Sequence, residues 1–170
     1  MRPLRLTFLL AASLPITWLG ARAVESGAAT SAATTDSVAA AAAESRVRQR
    51  DVEIAAWERA LAQDSLSAIA LAQLGGLHMQ RGRESGEYAD YVRAEEYARR
   101  SLALRTNRNG RSFLTLSASL LAQHRFVEAR DVARRLVARE PEVPQYRALL
   151  GEADLELGDY DAARAAFDSI

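Results

Sequence analysis

Residues 114–136 read LTLSASLLAQHRFVEARDVARRL, and residues 148–170 read ALLGEADLELGDYDAARAAFDSI. Laid over each other at an offset of 34, Leu116, Ser117, Phe126, Ala129 and Leu136 fall on Leu150, Gly151, Tyr160, Ala163 and Ile170. A fixed period of that size marks an array of stacked units, each of which hides its apolar face only against its neighbours. No segment alternates apolar and polar residues long enough to suggest a strand, so the expected class is all-α.

Composition agrees with that class. A length of 170 residues suits one domain or a short array. Hydrophobic residues make up 49% of the chain but aromatics only 6%, so the apolar content is mostly Ala and Leu, which favours helices packed closely through small residues. The 22 basic residues, all arginine, balance 22 acidic ones. Cysteine is absent, which excludes disulfides, thiolate metal sites and thiol catalysis.

The chain opens with Arg2 and Arg5, an apolar run over 6–19 and the sequence Ala21-Arg22-Ala23. A basic start, a short apolar core and a small-x-small site describe a secretory signal peptide over 1–23. The run is shorter than the roughly 20 residues needed to span a bilayer, and Pro15 interrupts it. Cleavage after Ala23 removes Arg2, Arg5 and Arg22 and leaves 19 arginines against 22 acids. A weakly acidic exported chain has no electrostatic basis for binding nucleic acid, and without its leader it has no anchor in a membrane. The expected location is periplasmic or extracellular; an uncleaved leader would instead tether the chain to the inner membrane.

Residues 24–43 are rich in Ala, Ser and Thr and read as a linker running into the first helix. From Val47 the pattern turns helical, with Val47, Ile54, Trp57 and Leu61 on one face of a leading half-repeat over 44–66. Three hairpins follow over 67–106, 107–143 and 144–170. Gly82 is expected to end the first helix of the first hairpin, Ser67 to cap it, and Tyr88 to open the return helix. The spacing from Gly82 to Tyr91 exceeds that from Gly158 to Tyr160 by seven residues. About two helical turns have therefore been added, which both helices of the hairpin can absorb.

Three sets of residues carry a family resemblance. They are Leu71, Leu74, Gly75, His78, Ala94 and Ala98; Phe113, Leu116, Ser117, Leu120, Ala129, Ala133 and Pro141; and Arg147, Leu150, Gly151, Asp154, Ala163 and Phe167. In this spacing the hairpins resemble the tetratricopeptide repeat. The resemblance covers roughly 68–170 and implies antiparallel hairpins in a short right-handed superhelix, an α-solenoid. The small residue at the centre of each first helix lets its partner approach, and Tyr91, Phe126 and Tyr160 are expected to cover the hairpin ends. His78 and Asp154 depart from the pattern, standing where a large aromatic is usual.

The resemblance also implies a concave groove lined by the first helices. The positions carried over are Ile69, Ala72, Gly76 and Met79, then Leu114, Ala118 and Leu121, then Ala148, Glu152 and Leu155. None is Lys, Asn or Arg, which disfavours the clamp that some members close on a terminal carboxylate. Nothing in the chain calls for a cofactor or a catalytic residue. His78 and His124 lie too far apart to share a metal, and the acids of the third hairpin lack the spacing of a calcium loop.

The sequence thus points to an exported, non-catalytic scaffold of the bacterial envelope that binds a protein or peptide. Two other readings stay open at this stage. In one, the chain is the N-terminal segment of a longer protein with an enzyme or sensor domain downstream; in the other, it is a membrane-anchored subunit of an envelope complex. The third hairpin reads as incomplete, so the chain is expected to give a helical circular dichroism spectrum with marginal stability or self-association. A cooperative monomeric transition at high temperature would contradict this. Mass spectrometry of exported material is expected to find an N-terminus at Val24, and Met1–Ala23 still attached would defeat the cleavage reading.

Overall fold

The computed structural model describes the backbone from Leu19 and side chains from Ser37, in each case to Ile170. The expected leader, 1–23, lies outside the residues whose side chains are described. Among the described residues there are seven helices and no strand: α1 (Leu19–Gln63), α2 (Ala68–Ser85), α3 (Tyr88–Leu104), α4 (Gly110–Ala122), α5 (Phe126–Arg139), α6 (Pro144–Glu156) and α7 (Tyr160–Asp168). The chain divides into two compact units, Met1–Arg46 and Val47–Ile170. In the first, the described side chains are all exposed. Helix α1 covers the stretch 24–43 read as a linker; its alanines favour a helix although it has little to bury.

The second unit is a stack of hairpins α2–α3, α4–α5 and α6–α7, each in contact with the next. Ser67 caps α2, its hydroxyl accepting from the Ala70 amide at 3.3 Å. The helix then runs through Gly82, which was expected to break it, and ends on Gly86 at φ 75°. A glycine inside a helix costs only about 1 kcal/mol, whereas the left-handed turn at Gly86 strongly favours one. At 18 and 17 residues, α2 and α3 are longer than the 13 and 14 of α4 and α5, so the extra turns of the first hairpin are helical.

Close approach within each hairpin rests on small residues. Gly75 faces the Ala94 carbonyl and Ala98 amide, where an added Cβ would sit at 3.4 and 3.5 Å. At the matching place Ser117 donates to the Ala129 carbonyl at 3.3 Å, and Gly151 lies beneath the Phe167 ring. Ala94, Ala98, Ala129 and Ala133 have no exposed surface. The core centred on α4 joins Ala98, Leu116, Leu120, Val132, Leu136 and Tyr146, so it runs through all three hairpins.

The expected aromatic covers divide. Tyr91 lies on Gly82 and Phe126 is half-buried, but Tyr160 is 66% exposed, and Phe167 covers the third hairpin instead. Between the first two hairpins a buried polar knot replaces apolar packing. Ser101 donates to the Ala68 carbonyl at 2.8 Å and lies within hydrogen-bond reach of the Asn109 amide nitrogen and the Ser112 hydroxyl. It ties the start of α2 to α3 and α4.

Two glycine substitutions with opposite signs test this packing. At Gly82 a Cβ would stand 2.9 Å from the Tyr91 ring, so Gly82→Ala is expected to lower stability by about 1–2 kcal/mol despite its better helix propensity. At Gly76 the nearest atom is the tip of Arg111 at 4.0 Å, and Gly76→Ala is expected to raise stability by up to about 1 kcal/mol. Denaturant unfolding of the two variants reads both signs, and equal shifts would contradict the packing described.

Candidate functional site

The first helices α2, α4 and α6 stand side by side and enclose an open cleft of about 730 Å³. Six of the ten positions expected in a groove line it: Gly76, Met79, Leu114, Ala118, Ala148 and Glu152. Leu121 and Leu155 line a separate recess of about 220 Å³ near Phe126, which Glu152 also borders. Ala72 is buried and Ile69 is 53% exposed, and neither lines the cleft.

Helical spacing explains which residues arrive. Gly76, Met79 and Arg83 follow one another at three and four residues along α2, as do Arg111, Leu114 and Ala118 along α4. Arg83 and Arg111 are cleft residues that the sequence reading missed. Ending α2 at Gly82 left Arg83 outside the helix, and the groove positions carried over for the second hairpin began at Leu114, which left out Arg111. The spacing itself would have found both. Gln80, Gln145 and the rim around Tyr146 complete a wall that mixes apolar surface with hydrogen-bonding groups.

Behind the α2 wall lies a buried ionic cluster. Arg81 grips Asp90 of α3 with two hydrogen bonds, Nε to Oδ2 at 2.9 Å and Nη2 to Oδ1 at 2.7 Å. His78 is buried, with Nδ1 2.8 Å from Asp90 Oδ1, and its ring stacks on Tyr97. Its Nε2 has no hydrogen-bond partner among the described residues. The Arg81 hydrogen bonds outweigh burial and lower the Asp90 carboxyl from 3.8 to about 2. Burial holds the His78 imidazole below its ordinary 6.5, against the hydrogen bond to the Asp90 carboxylate that raises it. Nearby, Arg50 of α1 pairs with Glu84 of α2. On the opposite side of α3, Glu95 accepts from Arg99, Gln123 and Arg125 and so binds the first hairpin to the turn of the second.

These charged groups are occupied in holding helices together. His124 sits at the α4–α5 turn with φ 58°, edge-on to Phe126 and far along the chain from His78. Among the described residues no group of three or more His, Asp and Glu side chains converges as a metal site requires.

Residues 114–170 match the family profile described as a tetratricopeptide repeat. No curated protein matches the chain. The repeat matched over α4–α7 continues in the α2–α3 hairpin, whose Leu74-Gly75 and Ala94-x3-Ala98 occupy the same structural places.

The cluster behind the cleft gives a pH signature. With the His78 pKa below 6.5 in the folded chain, the unfolded chain takes up the proton first, so stability falls as the pH drops below that value. The Asp90 contribution is present above 3.8 and is lost as the pH falls through about 2. His78→Leu, which places here the residue type of position 120, is expected to flatten stability between about pH 7 and pH 5 while leaving the Asp90 loss in place. Denaturant midpoints across that range check it, and an unchanged slope in His78→Leu would contradict it.

Proposed function

We propose that this chain, a tetratricopeptide repeat protein, is an exported, non-catalytic scaffold of the bacterial envelope that holds a segment of a protein partner in the cleft of α2, α4 and α6. The family indicates protein–protein interaction, and the observation that carries the reading to a site is the cleft itself. It is open, about 730 Å³ in volume, and built from side chains of three successive first helices. That volume falls within the range of ligand sites, and its mixed wall suits an extended backbone with alternating side chains. The leader pattern over 1–23 supports export.

A photo-cross-linking residue at position 118, on the cleft floor, is expected to capture a discrete partner in envelope preparations. The same residue at position 127, exposed on α5, is expected to capture none. Equal adducts from both positions, or none from 118, would overturn the cleft reading.

A further inference from the structure

The cleft is divided by charge. Its α2 and α4 walls carry Arg83 and Arg111 and no carboxylate, while its α6 wall carries Glu152 and no cation. Arg83 and Glu152 have no hydrogen-bonding or ionic partner among the described residues, and Arg111 reaches only the neutral Gln73 at 3.3 Å. The other arginines of α2 and α3 are tied down: Arg81 and Arg93 by Asp90, Arg99 by Glu95, and Arg100 by Glu96. The three cleft charges are thus free to meet a ligand, and Met79, Leu114, Ala118 and Ala148 provide apolar surface between them.

We propose that the cleft selects an extended protein segment with a charge at each end of its contact, an acidic side chain against Arg83 and Arg111 and a basic side chain against Glu152. The inference rests on the reading of the cleft as a protein-binding groove. Neighbouring helix axes lie about 8–10 Å apart, so the two steps from α2 to α6 cover about 16–20 Å. An extended chain advances about 3.3–3.6 Å per residue, which places the two charges about five or six residues apart. Both chain directions satisfy the cleft, because reversing the segment exchanges which charge comes first. Two bound charges of opposite sign also reject wholly acidic and wholly basic segments, since each would place a like charge against one wall.

The test is selection of a displayed random-peptide library, of about twelve residues, on the full chain. Enriched peptides are expected to carry one acidic and one basic residue about five or six positions apart. Their affinity is expected to fall about tenfold in Arg83→Ala/Arg111→Ala and about threefold in Glu152→Gln, and to fall with added salt. Selection on Glu152→Arg is expected to replace the basic residue by a second acidic one, a switch that a loss of folding could not produce. Enriched peptides that cross-link to position 118 but carry no such charge pair would overturn this proposal and leave the groove reading intact. Peptides that bind without reaching position 118 would overturn both.

Discussion

The absence of side-chain bulk where paired helices meet sets the geometry of the stack. Gly75 against Ala94 and Ala98, and Ser117 against Ala129, bring each first helix close to its return helix. A larger residue at either place would open the hairpin and displace the next one, since each unit buries its face only on its neighbours. The continuous core from Ala98 to Ala153 exists because these seams are narrow. The cleft is the outward consequence: first helices held in order present matching turns to one concave side.

Much of this was legible because periodicity and small residues are written directly in the chain. The return helix starting at Tyr88, the cap at Ser67 and the α4–α5 turn at His124 all follow from local signals. The errors share one cause, which is that a local signal was outweighed by packing. Gly82 reads as a breaker, yet in the structure it makes room for the Tyr91 ring inside a continuing helix. Tyr160 matches the family position of a covering aromatic, but the cover comes from Phe167 one helix length later.

The polar interior was the least legible part. That His78 occupies a packing position is plain from the repeat, but its partners Arg81 and Asp90 lie on two different helices, and their meeting depends on how α2 packs against α3, which no local pattern states. The extension of α2 past Gly82 carries Arg83 into the cleft. The misplaced helix end hid the charge on the face of the wall, whereas the ionic cluster behind it was hidden because pairing across two helices is not written locally. Asp154 holds the equivalent place in the third hairpin, buried, with Arg134 4.0 Å away and Oδ1 without a hydrogen bond. The repeat tolerates a polar group there when a neighbouring helix supplies the opposite charge.

The dependence on narrow seams is tested most directly by Ser117→Leu. The substitution removes the hydrogen bond to the Ala129 carbonyl and forces added bulk between α4 and α5. Equilibrium denaturant unfolding is expected to show a loss of about 2–4 kcal/mol, from overpacking together with the lost bond. An unfolding midpoint equal to or above that of the parent chain would contradict the account, because the seam would then not be what positions the hairpins.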